Sequence, residues 1–313
     1  VSHQDFLNEI SGFVFPKEGR MFAKFIADLM TKPGKSPVFG NPKDFGLEYE
    51  DVIFKASDGV TLSGWLVKGR ADKVIIQTHF GIQCSRSGYT PRGKGLIKGW
   101  PKDIEFLKHV KQLVEAGYSV LMYDLRNHGN SGEGTCEWVT GGPEEYKDVI
   151  AAVDYISNHP DYKDSKIGLL SICMGANSTT YAYGIEGGLQ EYKNIKALMA
   201  IQPIGYTEFL QALGIPKFLI IRANKFNLKR GGKDFNSTCL PQVKSITVPA
   251  IVIQNQNDPW TNMNWVKQFY DNLAVEKEKF WIDGKKKRFA AYDYFGNSPE
   301  KMLEFFNTQM NKT

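Results

Sequence analysis

The sequence predicts an α/β fold with a mostly parallel central sheet flanked by helices. Two observations carry this. Short apolar, β-branched runs recur at residues 73–78, 119–123, 166–170, 197–201 and 250–254. Between them lie longer segments with helical spacing and helix start or stop residues. Strands that are apolar throughout are buried on both faces, and strands alternating with helices imply parallel pairing through helical crossovers.

The elements follow in order. Residues 5–30 read as a helical stretch, with Phe6, Ile10, Phe13, Phe22, Phe25, Ile26 and Met30 on an apolar face and an interruption near Pro16. This is expected to be an N-terminal helical extension, residues 1–45, packed on a main body of residues 46–313. Residues 52–56 and 61–67 flank Ser57-Asp58-Gly59 as a hairpin. Residues 104–116 read as a helix stopped by Gly117. Residues 144–157 form another, with Pro143 near its start. A strand at 166–170 leads into a helix at 175–183, and 279–282 is the last strand. Residues 298–307 close the chain as a helix, with Ser298 as N-cap and Pro299 in the first position. Residues 204–245 separate two core strands and hold Phe209, Leu210, Leu213, Phe218, Leu219, Ile220 and Ile221; they are either a short helical lid or core packing.

Composition removes several classes. The chain has 313 residues, 42% hydrophobic and 23% charged, which suits a globular body with its own core. A net charge of +5, from 39 basic and 34 acidic residues, is too small and scattered to imply nucleic acid as partner. No apolar run reaches the roughly 18 residues a membrane span needs. The four cysteines, Cys84, Cys136, Cys173 and Cys239, lack the spacing of a disulfide framework or a zinc site. No glycine-rich phosphate loop is present, so no cofactor or metal is expected. Free thiols and the lack of a leader-like start point to the cytoplasm.

Ligands of such sheets bind beyond the carboxyl ends of the strands, so the residues after each strand carry the functional reading. After residues 166–170 comes Ser171-Ile172-Cys173-Met174-Gly175. A nucleophile elbow is a tight strand-to-helix turn with small residues two places either side of the nucleophile. Centred on Cys173 the flanks are Ser171 and Gly175; centred on Ser171 one flank would be Leu169, which is too large. A structural buried cysteine is the alternative. After residues 73–78 comes His79-Phe80-Gly81; amides at Phe80 and Met174 are the candidate oxyanion donors. His79 either orients that loop or satisfies a buried hydrogen bond. In residues 124–132, Asp124, Arg126 and His128 read as an ion pair and loop anchor. After residues 250–254, Asp258 is positioned to orient a base or pair with a cation, or is a turn residue before Pro259.

Together these segments resemble the α/β-hydrolase superfamily over residues 52–307. The resemblance rests on the oxyanion segment 78–81, the D-x-R-x-H-G-x-S segment 124–131, the elbow 171–175 and Asp258. The usual nucleophile of that family is Ser in G-x-S-x-G; Cys173 stands there instead, as in the dienelactone-hydrolase branch. A late R-F-x-x-Y-x-Y-F segment, residues 288–295, is similar to one subset of the family. The family's catalytic histidine follows the last strand, yet residues 283–289 read Asp-Gly-Lys-Lys-Lys-Arg-Phe, and no histidine of the chain follows His159.

The resemblance implies a Cys173 nucleophile with Asp258 and an incomplete triad, acting on a small-molecule acyl ester, thioester or lactone. Arg288 or a lysine of 285–287 would favour a sulfur anion by charge, or His79 or His128 would relay protons. The alternatives are an acyltransferase on the same fold and a non-catalytic binding protein that kept the pocket. His79, Trp260, Arg288 and Tyr292 are the candidate pocket residues, with Tyr294 a further wall candidate.

Overall fold

The computed structural model describes residues 19–34, 36–81, 83–93 and 100–312. The expected helical positions Phe6, Ile10 and Phe13, and the break near Pro16, lie outside them. The described chain opens with α1 (Gly19–Thr31), then β1 (Tyr49–Lys55), β2 (Thr61–Val67) and β3 (Arg70–Thr78). Next come the short strands β4 (Cys84–Ser85), β5 (Gly88–Tyr89) and β6 (Ile104–Glu105), then α2 (Leu107–Glu115) and β7 (Tyr118–Tyr123). The middle holds α3 (Tyr146–Ser157), β8 (Lys166–Ile172), α4 (Met174–Gly184), β9 (Ile195–Ile201), α5 (Tyr206–Ala212) and α6 (Lys217–Lys229). The end holds β10 (Ala250–Asn255), α7 (Met263–Asn272), β11 (Lys277–Ile282), α8 (Phe289–Tyr292), α9 (Tyr294–Asn297) and α10 (Glu300–Asn311).

Among the described residues, eight strands form one sheet in the order β1-β2-β7-β3-β8-β9-β10-β11. β2 runs antiparallel to β1 and β7, and every other pairing is parallel. The expected hairpin is present, with Lys55 opposite Thr61. Period-two alternation divides the strands between two cores. On β7, Val120 and Met122 join a core with Leu113 of α2 and Phe305 of α10. Their neighbours Leu121 and Tyr123 join the opposite core with Val153 of α3 and Phe269 of α7. Both faces are therefore covered, as the uninterrupted apolar runs require.

Two boundaries differ from expectation. Ile104 and Glu105 are not helical; they pair antiparallel with Tyr89 and Gly88, because the loop after β3 folds back into a small three-stranded sheet. Tertiary pairing here outweighs local helix propensity. Ser298 is not the cap of the closing helix. Its backbone (φ −140°, ψ 74°) lies outside the helix, and the first helical bond is Leu303 N–H to the carbonyl of Pro299. Gly117 (φ 97°) does end α2 as expected, in the left-handed region that favours glycine.

The 124–131 loop is an anchor. The Asp124 carboxylate accepts from the amides of Arg86 (2.6 Å) and Asn130 (2.9 Å). Arg126, 1% exposed, bonds Asp148 from one side and Asp58 from the other. These contacts tie β7 to the hairpin and to α3.

The buried histidines make stability acid-sensitive. His79 is pushed down to about 3 by burial, reinforced by His128 and Arg86 and opposed by its bond to the Phe80 carbonyl. Burial likewise takes His109 down to about 3. Unfolded, each takes a proton below about 6.5; folded, neither does until about 3. Their stability contribution is whole above pH 6.5 and is lost on acidification toward 3, at ~1.4 kcal/mol per pH unit per histidine. Urea unfolding at stepped pH should show this slope, and His109→Gln should flatten it by one proton's worth.

Candidate active site

β8 ends at Ile172 and α4 begins at Met174, leaving Cys173 alone at the corner. Its backbone is held at φ 54°, ψ −108°, a region non-glycine residues avoid. The turn brings α4 against the end of β3: a Cβ on Gly175 would lie 2.4 Å from the Thr78 carbonyl oxygen. The small residue expected at that flank is thus a steric requirement. Ser171, at the other flank, is buried with its hydroxyl 2.8 Å from that of Thr179. Cys173, not Ser171, occupies the corner.

Arg288 fills the gap left by the missing histidine. It sits at the start of α8, after the loop that leaves β11. One guanidinium nitrogen donates to Asp258 Oδ2 at 2.8 Å and to Thr261 Oγ1 at 3.0 Å. The other donates to Cys173 Sγ at 3.3 Å and to the Gln202 carbonyl at 3.0 Å. The side chain is 4% exposed. Burial works against its charge, but the Asp258 carboxylate and the hydrogen bond to Cys173 oppose burial, and the guanidinium stays protonated, above its ordinary range. The order Asp258–Arg288–Cys173 reproduces the connectivity of a triad with a permanent cation in the middle.

Several residues fix that cation. Asp258 also accepts from Trp260 N (2.9 Å) and Thr261 Oγ1 (2.6 Å). Gln202, itself at φ 49°, donates to the Arg288 carbonyl at 3.1 Å. The Asn255 side chain donates to the carbonyls of Lys285 (2.8 Å) and Lys287 (3.0 Å), which pins the loop carrying Arg288. Neither Gln202 nor Thr261 stood out in the sequence. Gln202 directly follows β9 and Thr261 lies in the loop after β10, and polar loop residues of this kind are common. The basic run divides: Arg288 turns inward, while the Lys287 ammonium lies 5.0 Å from the Trp100 ring.

A cavity of about 100 Å³ opens beside the sulfur. Phe80, Met174, Trp260, Arg288 and Tyr292 all line it, as does Cys173. Tyr292 stacks on Phe80 at 4.4 Å, and its ring lies 5.6 Å from the Arg288 guanidinium carbon. The 204–245 segment contributes Tyr206, Phe209 and Leu213. α1 contributes Leu29 and Met30, which sequence reasoning did not assign to the pocket. Tyr294 packs on Phe280 and Phe295 instead.

His79 and His128 stand apart. His79 Nδ1 donates to the Phe80 carbonyl (2.6 Å) and Nε2 accepts from Leu125 N (3.0 Å), so both ring nitrogens are engaged. His128 Nδ1 donates to the Arg126 carbonyl at 2.8 Å. Neither is among the residues lining the cavity. His79 thus holds the Phe80 loop from behind, the loop-orienting role open to it in the sequence.

The strand order, the elbow and the late acidic loop define an α/β-hydrolase fold. No protein-family model matches the chain. An esterase of Pyrococcus furiosus, Pf2001, superposes with a TM-score of 0.65 and 26% identity, over 90% of this chain and 100% of that one. The α/β hydrolase GrgF of a Penicillium species superposes at 0.59 with 18% identity, over 85% and 100%. A dienelactone hydrolase of Anabaena variabilis superposes at 0.53 with 15% identity, over 84% and 98%. In sequence, the polyketide transferase GrgF of Penicillium is 26% identical over 160 residues, which is 50% of this chain and 46% of that protein. The match thus spans about half of that curated relative. The fold and these likenesses place the chain in the α/β-hydrolase superfamily. No helix among the described residues is long and apolar enough to cross a membrane.

Removing one member of a buried ion pair strands the other. Arg288→Ala should therefore lower unfolding free energy by about 3–5 kcal/mol, measured by denaturant titration.

Proposed function

We propose that the protein is an acyl-transfer enzyme of α/β-hydrolase type in which Cys173 carries the acyl group as a thioester. The carrying observation is Arg288 standing between Asp258 and Cys173. A guanidinium has no lone pair to accept a proton and is not deprotonated in proteins. It therefore cannot act as the base that activates water. It can stabilise negative charge collecting on the sulfur, and Asp258 with Thr261 orients it for that task.

The chemistry that needs least from a base is thiol–thioester exchange. The Cys173 sulfur attacks the carbonyl of an acyl thioester, with the amides of Phe80 and Met174 holding the oxyanion. The new carbon–sulfur bond forms, the donor's breaks, and the thiol proton leaves with the departing thiolate. An acceptor amine, alcohol or thiol then takes the acyl group and returns its proton to the Cys173 sulfur beside Arg288. The similarity to a polyketide transferase supports transfer. The strained backbone at Cys173 supports a working nucleophile over an idle pocket, since such strain concentrates at functional sites. Ester hydrolysis is the second reading, favoured by the esterase that matches 90% of the chain.

Intact-mass analysis after incubation with N-acetylcysteamine thioesters tests this. An acyl adduct should form on the wild type and be absent from Cys173→Ala. Its loss should need an added amine, alcohol or thiol; loss to water alone at the same rate favours the esterase reading. Arg288→His restores a proton acceptor, and adduct hydrolysis should rise by about tenfold or more, toward the ~10²–10⁴ of general-base catalysis.

A further inference from the structure

The cavity is walled mainly by carbon, and its polar groups are mostly spoken for. Arg288 is engaged by Asp258, Thr261, Gln202 and Cys173, and the Tyr89 hydroxyl is bonded to Trp100. Tyr292 differs. It is 4% exposed and lines the cavity, its hydroxyl lies against the Cys173 sulfur, and no oxygen or nitrogen acceptor among the described residues meets it. Stacking on Phe80 fixes the direction of the ring. Burial raises the Tyr292 hydroxyl far above its usual range, against the pull of Arg288 and with the push of Cys173. The group is thus a donor, not a proton acceptor. A buried hydroxyl that meets only a thiol sulfur, a weak acceptor, is under-satisfied, and a ligand oxygen placed there satisfies it.

Resting on the acyl-thioester reading, we infer that the Tyr292 hydroxyl binds a second oxygen of the acyl group, so that the substrate is a 2- or 3-oxygenated acyl thioester on an otherwise apolar body. The position follows from the chemistry. The sulfur attacks the acyl carbonyl, so a donor beside the sulfur meets atoms one or two carbons from that carbonyl. The reacting carbonyl's own oxygen is directed at the Phe80 and Met174 amides. About 100 Å³ of space, at ~10–15 Å³ for each water-sized occupant, admits a short chain or single ring. Phe209, Leu213 and Trp260 surround it with apolar surface.

The test compares acylation of the full chain by butanoyl- and 3-oxobutanoyl-N-acetylcysteamine, read by intact mass. Glutathione serves as the reference thiol, because the 3-oxo donor is intrinsically more reactive. The wild type should prefer the 3-oxo donor about tenfold or more beyond the glutathione ratio. Tyr292→Phe keeps the ring and should return the preference to that ratio, most of the loss falling on the 3-oxo donor. A wild-type ratio equal to that of glutathione, which needs no variant to interpret, overturns the inference and leaves the acyl-transfer reading standing. Equal slowing of both donors by Tyr292→Phe also overturns it, since the hydroxyl would then serve the reacting carbonyl. Failure of every donor to label Cys173 overturns the acyl-transfer reading and the inference with it.

Discussion

A buried guanidinium must have its hydrogen bonds met, and the way Arg288 meets them organises the site. It draws on the corner after β8 through Cys173 and on the end of β9 through the Gln202 carbonyl. It draws on the loop after β10 through Asp258 and Thr261. Its own backbone belongs to the loop after β11, held by Gln202 and Asn255. Four neighbouring parallel strands therefore end on one cation. Desolvating that charge is costly, and the full set of acceptors is what makes the arrangement tenable. Two strained residues, Cys173 and Gln202, stand at adjacent strand ends in this network. Their conformations persist because the surrounding bonds over-determine them.

The roof of the cavity depends on a second ion pair. Arg230, just after α6, bonds Asp28 and Thr31 of α1, and its guanidinium carbon lies 3.7 Å from the Trp138 ring and 5.2 Å from the Phe226 ring. Asn227 accepts from Thr31 at 3.2 Å. Leu29 and Met30 lie between Asp28 and Thr31 in the same turn and line the cavity. α1 and the helices between β9 and β10 thus act on the same space from two distant parts of the chain. Two parts of the cavity wall about 200 positions apart in sequence are thus joined by a partly buried ion pair.

Much of the frame was legible in the sequence because its causes are local. Strands buried on both faces must be apolar throughout, so the β3, β7, β8, β9 and β10 runs stood out. The elbow was legible because a turn that brings Gly175 to the Thr78 carbonyl tolerates no side chain. The Arg126 and Asp124 anchors read as structural and are so. Two boundaries were not legible. β6 pairs with a loop 15 residues upstream, and no periodicity within residues 104–105 announces that. Ser298 had the chemistry of a cap, but the chain enters the closing helix one residue later.

The sequence by itself determined the fold class, the corner residue Cys173, the late carboxylate Asp258 and the absence of a histidine after the last strand. These follow from residue size, polarity and order. Only the tertiary structure decided what stands in the histidine's place. Arg288 was one of four consecutive basic residues, and a basic run on its own is usually a solvated face. Which of the four turns inward depends on the pinning of that loop by Asn255 and on the carbonyl that Gln202 presents. The same holds for Tyr292, whose hydroxyl acquires meaning from the sulfur and aromatic ring that folding places beside it. Local chemistry sets which residues are able to serve; convergence of strand ends selects those that meet.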